Sequence, residues 1–185
     1  LKRFSVDKNR KLLEIGCGEG RDAFYLLDQG YDLLATDLSG EAISYCKKLR
    51  PDLTDHFSLL DCIGDIHEEA YDFIYAVAVL HMLTEDADRG AFYGFIRNHL
   101  TADGMALLFS MGDGIHDYVS DPAKAFELTE REHPSGKVKV ASTTCRMVSA
   151  EHLHMELEAA GFTILEEGIT SCLPHFDKLL YAVVK

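Results

Sequence analysis

Residues 12–20, Leu12-Leu13-Glu14-Ile15-Gly16-Cys17-Gly18-Glu19-Gly20, close an apolar run with an acid and three glycines at alternate positions. Such a turn can hold a nucleotide-like ligand against bare backbone, because glycine accepts positive φ and leaves free the space a Cβ would fill. The periodic stretch 22–27 predicts a helix whose N-terminal amides face that site, and 31–37 predicts a second strand that ends in another acid. An acid about 20 residues past the first glycine is where a βαβ unit offers a carboxylate to ribose hydroxyls. Asp37 fits that role. The spacing Gly16-x-Gly18-x-Gly20 is not the Gly-x-Gly-x-x-Gly of dinucleotide binders, and nothing nearby cradles a pyrophosphate.

Together, Glu14-Ile15-Gly16-Cys17-Gly18-Glu19-Gly20 and Asp37 resemble the first two motifs of class I S-adenosylmethionine-dependent methyltransferases. The stretch from Gly20-Arg21-Asp22 to Gly30-Tyr31 is similar to the tellurite-resistance-type and thiopurine-type small-molecule branch. The resemblance implies S-adenosyl-L-methionine as cofactor and methyl transfer to a small-molecule acceptor. Glu14, Gly16, Cys17, Gly18 and Gly20 would then surround the amino-acid end, Asp37 would accept both ribose hydroxyls, and Leu38 would pack on the adenine face. From the family's third-strand motif, Asp61 would accept from the adenine amino group while the Cys62 amide donates to the ring. The other reading of Asp61 is a turn or helix-cap acid. Ala76, Val77 and Ala78 would line the cofactor from the end of a fourth strand.

Methyl transfer from a sulfonium is an in-line displacement on an activated donor. Alignment alone supplies effective molarities of ~10⁵–10⁸ M, whereas a general base adds about 10²–10⁴-fold. A base is therefore optional, and where the acceptor must lose a proton His81 and His116 are the candidates, since imidazole titrates near neutrality. The other histidines read as structural. Asp113, His116 and Asp117 read as solvated loop residues rather than a cation site, and no metal is expected.

The elements that position these residues form an alternating series. Ser39 caps a helix carrying Ile43, Cys46 and Leu49 that Pro51 ends; a third strand runs over 56–60 and an unbroken apolar run over 71–79 predicts a buried central strand. A helix through Phe92, Phe95 and Ile96, a fifth strand at 105–110 and a helix from Ser149 to Gly161 follow. Two last strands, 162–167 and 179–184, form an antiparallel hairpin whose connection holds Pro174. The expected fold is a Rossmann-like doubly wound, mostly parallel seven-stranded sheet with a terminal antiparallel strand, spanning 1–185 as one domain.

Residues 111–148 interrupt this pattern and are too many for a structureless connection. Asp121-Pro122 predicts a helix start leading into 123–131, while Val138 and Val140 alternate like a short strand. We read the segment as a substrate lid, with a homodimer contact as the alternative.

A chain of 185 residues with 47% hydrophobic content suits one core. A net charge of −13 opposes nucleic acid as a partner, and no segment approaches the roughly 20 apolar residues of a membrane span. Five scattered cysteines without Cys-x-x-Cys spacing suit a reducing cytoplasm. Two other functions remain open at this point: a nicotinamide-dependent oxidoreductase, because Asp37 serves an NAD ribose equally well, and a non-catalytic S-adenosylmethionine binder acting through the insertion.

Overall fold

Central parallel strands need cover on both faces, and the chain supplies it with helices between successive strands. The structure, a computed structural model, describes residues 4, 6–121, 123, 128–133, 136–141, 144–171 and 178–185. Strands β1 (Lys11–Ile15), β2 (Asp32–Asp37), β3 (Phe57–Leu59), β4 (Tyr71–Val77) and β5 (Leu100–Met111) pair in parallel, with β1 and β4 adjacent at the centre. Helices α1 (Arg21–Asp28) and α2 (Gly40–Leu49) lie within the first half and α3 (Asp86–His99) joins β4 to β5. Ser39 caps α2 as its sequence predicts, its hydroxyl accepting from the Ala42 amide at 3.2 Å.

The alternation of side chains along each strand divides the interior into two cores. Leu12, Leu33, Ala35, Phe73 and Tyr75 pack with Ala23, Ile43 and Cys46 of α1 and α2. On the other face Leu13, Ile15, Ile74, Ala76, Ala106 and Leu108 pack with Phe92 and Ile96 of α3 and with Leu153 and Leu157 of a further helix, Ala150–Ala159. That last helix becomes α4 in chain order.

The sheet continues past β5 through the chain's final strand, residues 179–184, to an edge strand at 164–170. The final strand is antiparallel to both neighbours, so it lies inside the sheet and the hairpin partner takes the edge. Both the seven strands and the antiparallel terminal strand agree with the sequence pattern. The connection expected to hold Pro174 lies outside the described residues.

The insertion departs from its expectation in part. Among the described residues four short strands lie within it: β6 (Tyr118–Val119), β7 (Leu128–His133), β8 (Gly136–Ala141) and β9 (Arg146–Met147), so the edge and final strands of the main sheet are β10 (Ile164–Thr170) and β11 (Leu179–Val184). Residues 128–131, read as the end of a helix, belong to β7 instead. The reason lies across the ladder: register sets Glu130 opposite Lys139 and Glu132 opposite Lys137, and Lys137 Nζ reaches Glu130 at 2.8 Å. The ladder pairing that runs from Leu128 opposite Ala141 to His133 opposite Gly136, with this cross-strand ion pair on it, is the tertiary context that places 128–131 in a strand. Residues 124–127 lie outside the described set, while Val138 and Val140 are in a strand as expected.

Behind the segment that follows β4, the helices meet in a buried charge network. Arg89, 2% exposed, donates from Nε at 2.9 Å and from Nη2 at 2.5 Å to Glu156 of α4. Its Nη1 donates to the Leu80 carbonyl at 2.9 Å, and the Tyr93 hydroxyl donates to Glu156 at 2.7 Å. Arg146 of β9 completes the link, donating to the Thr84 carbonyl at 3.0 Å and lying 3.5 Å from Glu156. One cluster thus fixes the chain after β4 to both helices and to the return strand of the insertion. Arg89→Ala removes the main cationic partner of Glu156 and leaves it Tyr93 and Arg146, so urea denaturation is expected to show a loss of about 3 kcal/mol; a loss under about 1 kcal/mol would mean the network is incidental.

Candidate functional site

The carboxyl ends of β1, β2 and β4 converge on the glycine turn. Gly16, Gly18 and Gly20 all have positive φ, at 77°, 53° and 77°. Their surroundings differ. A Cβ on Gly16 would fall 2.3 Å from Val79 Cγ2, whereas a Cβ on Gly18 would meet nothing within 4 Å. The turn is therefore pressed against the protein at Gly16 and open at Gly18, where bare backbone faces free space.

Asp37 holds that turn in place. Its Oδ2 accepts from the Gly18 amide and its Oδ1 from the Ser39 amide, each at 2.8 Å. The Gly16 and Cys17 amides both donate to the Thr36 carbonyl, at 2.8 and 2.9 Å. Asp37 thus carries a structural duty that sequence reasoning did not assign. A carboxylate offers about four acceptor positions, so two remain for a ligand's hydroxyls. Leu38, the next residue, exposes 70% of its surface, an apolar side chain at the strand end.

Glu14 and Tyr75 form the buried floor. Glu14 is 3% exposed and Tyr75 5%, and neither Glu14 Oε2 nor the tyrosine hydroxyl completes a hydrogen bond. Burial pushes the Glu14 carboxyl up to about 8; the nearby Tyr75 hydroxyl and Arg21 pull it down, and Asp22 and Asp37 push it further up. A cavity of about 300 Å³ opens above, lined by Glu14, Gly16, Cys17, Arg21, Asp22, Val77 and Ala78. Cys17 is buried beside Glu14, and burial raises its thiol far above the usual range, which leaves it inert.

β4 ends sooner than its apolar run predicts, because Ala78 takes φ 59°, a left-handed conformation costly for a residue with a Cβ. The chain then makes a tight turn at Leu80–Met82. Ala76 is buried, while Val77 and Ala78 border the cavity. The strain at Ala78 carries no signal in the sequence.

At the end of β3, Asp61 spends Oδ1 on the Ile63 amide at 2.9 Å, and its own amide donates to Asp65 Oδ2 at 2.8 Å. Part of the Asp61 carboxylate thus builds a turn, the bland reading, and Oδ2 remains for another partner. Cys62 is half-buried, its thiol pushed up by burial to about 11, so it has no reactive role.

The two histidines differ sharply. His81 lies buried after β4 with Nδ1 unpartnered, and burial with the Arg89 charge lowers it to about 4. His116 is exposed, its Nδ1 2.7 Å from Asp113 Oδ2. The His116 ring, and after it the His116 and Ile115 amides from which Asp113 also accepts, hold that carboxyl well below the usual carboxylate range. Asp117 accepts from the Ser149 amide at 2.6 Å and lies 3.1 Å from His152 Nδ1. Among the described residues no cluster of three metal-ligating side chains occurs. A hollow of about 570 Å³ between α3 and α4 shares no lining residue with the glycine-turn cavity.

Residues 13–106 match the family described as Methyltransferase domain, and the chain belongs to that family. Over 78 residues it is 32% identical to the Probable S-adenosyl-L-methionine-dependent methyltransferase TehB of Haemophilus influenzae. That match covers 41% of this chain and spans about a quarter of the relative, 27% of its length. The fold is similar to that of the glycopeptide N-methyltransferase MtfA, with TM-score 0.74, 19% identity, and coverage of 100% of this chain and 86% of that one. An S-adenosylmethionine-dependent methyltransferase from Clostridium acetobutylicum aligns at TM-score 0.72 with 16% identity, over 100% of this chain and 94% of that one. The 1,6-didemethyltoxoflavin-N1-methyltransferase of Burkholderia thailandensis gives 0.71 and 19%, over 95% and 70%. These likenesses establish the Rossmann-like methyltransferase fold.

The buried Glu14 makes the cofactor-free protein sensitive to pH. An acid with a raised folded-state pKa keeps a proton that the unfolded chain releases, so its stabilising contribution is lost as pH rises from about 4.5 to about 8. Glu14→Gln is therefore expected to raise unfolding stability at about pH 7.5 by up to about 4 kcal/mol, about 1.4 kcal/mol for each pH unit above the unfolded value, with the gap closing toward about pH 5. Denaturant titrations at both pH values that gave equal gaps would contradict this.

Proposed function

We propose that this chain transfers the methyl group of S-adenosyl-L-methionine to a small-molecule acceptor. The observation that carries the reading is one glycine turn flanked by two acids: the unpaired Glu14 lines the cavity beside Gly16 and Cys17, and Asp37 holds the amide of Gly18, where the backbone is open. When bound, the cofactor supplies a methyl group on a sulfonium, already activated for displacement. The chain's own residues bind and orient. Glu14 and the turn Gly16–Cys17–Gly18–Gly20 take the amino-acid end, Asp37 the ribose hydroxyls and Leu38 the adenine face. Asp61 and the Cys62 amide take the adenine edge, and Val77 and Ala78 form the wall, with Ala76 buried behind them. The oxidoreductase reading is disfavoured because the glycine spacing offers a pyrophosphate no cradle.

Residues 111–148 serve as the acceptor lid in this reading, for they leave the end of β5 beside the crevice. Where an acceptor must lose a proton, His116 suits the task better than His81. Asp113 fixes its ring and solvent reaches it, whereas His81 at about 4 is a weak base. The net charge of −13 supports a small molecule over nucleic acid. The four described cysteines are free thiols, which supports residence in the cytoplasm.

Isothermal calorimetry is expected to show S-adenosylhomocysteine binding at about micromolar concentration or tighter, and ligand at about 100 times Kd should add about 2.7 kcal/mol of stability. Asp37→Ala removes the ribose acceptor and both backbone anchors, so affinity should fall by about tenfold to a hundredfold or more. Binding of NADH with none of S-adenosylhomocysteine would overturn the reading.

The lid is tested most cleanly inside its base. The Ser120 amide donates to the Cys145 carbonyl and the Cys145 amide to Ser120 Oγ, both at 2.8 Å, so residues 121–144 can be exchanged for a short turn while β6 and β9 stay paired. S-adenosylhomocysteine affinity should stay within about twofold while methyl transfer is lost. A large loss of ligand affinity would place the insertion in the cofactor site instead.

A further inference from the structure

The cavity above the glycine turn collects acids. Glu14 of β1 forms its floor, with Glu19 of the turn and Asp22 of α1 on its rim, and Asp37 of β2 acts on Glu14 from beneath the turn. The cation at hand is Arg21, and it is committed: its Nε and Nη2 lie 3.1 and 3.3 Å from the two Asp22 oxygens, with the side chain 62% exposed. From β4 the Tyr75 hydroxyl faces Glu14 without closing a hydrogen bond, and the Cys17 thiol stands beside them. A carboxylate oxygen this deeply buried, without donor or cation, is costly to charge. It therefore remains protonated until a positive group arrives.

We infer that Glu14 exchanges its proton for the ammonium group of the ligand, so that occupation of this cavity expels one proton from the protein to solvent. The inference rests on the S-adenosylmethionine reading of the site. The proton leaves the Glu14 carboxyl, and the carboxylate that remains becomes the counter-charge of the incoming cation. No bond other than Glu14 O–H breaks. Affinity is thereby tied to pH through a residue that touches neither the methyl group nor the acceptor, and an acidic medium empties the site.

The experiment is calorimetric titration with S-adenosylhomocysteine in two buffers of different ionisation enthalpy, repeated between about pH 6 and about pH 7. In that range the ligand's amino group, which titrates nearer about 8, stays protonated. The buffer dependence of the heat should report nearly one proton released per ligand, with Kd tightening by close to tenfold over the pH unit. In Glu14→Gln both the buffer dependence and the pH slope should vanish while binding persists. Should the variant fail to fold, the native protein alone decides the matter, because a flat Kd with no buffer dependence overturns the inference. Release of a proton that persists in a folded Glu14→Gln protein overturns it equally, by assigning the proton to another group. Absence of any binding across the range would instead overturn the cofactor reading on which this rests, and the two failures are distinguishable.

Discussion

One carboxylate holds the crevice together. Asp37, at the end of β2, accepts from the Gly18 amide on one oxygen and from the Ser39 amide on the other, which ties the turn after β1 to the entry of α2. Hydrogen bonds to a charged group contribute roughly 1.5–3 kcal/mol each, enough to hold a turn that has three residues in the left-handed region. The packing behind the turn gives it direction. Val79 fills the space behind Gly16, and Phe24 and Cys46 fill the space behind Gly20, so Gly18 alone opens outward.

Two buried charges are handled in opposite ways, and the contrast separates scaffold from site. Arg89 and Glu156 satisfy each other and their neighbours within one network, which locks the segment after β4 and, through Arg146, the return of the insertion. Glu14 lacks such a partner and faces a cavity. Proteins leave a polar group unsatisfied inside the core only rarely, and such a group on the floor of a cavity is where function departs from stability.

The fold, and the turn and acids of the candidate crevice, could be read from residue order, because strand runs, the glycine turn and the two acids at strand ends are local signals. Asp37, Gly18 and Leu38 sit where the βαβ pattern sets them, and β11 is antiparallel as the short final connection requires. What escaped was non-local. Residues 128–131, read as the end of a helix, belong to β7 because they pair across a ladder with 138–141, which a window of sequence does not contain. The strained Ala78, the hydroxyl of Tyr75 beside Glu14 and the pairing of Arg89 with a residue 67 positions away depend on tertiary placement in the same way. Asp61 lies between the two cases, for a turn acid and an adenine acceptor look alike until its amide partners are known.

The central claim is that Asp37 serves as clasp and ligand acceptor at once, and a crystal structure of the complex with S-adenosylhomocysteine tests it directly. The account expects both ribose hydroxyls within about 3 Å of the Asp37 carboxylate while the Gly18 amide keeps its bond to the same group. Density for the ligand away from the glycine turn, or a ribose held by residues other than Asp37, would contradict it.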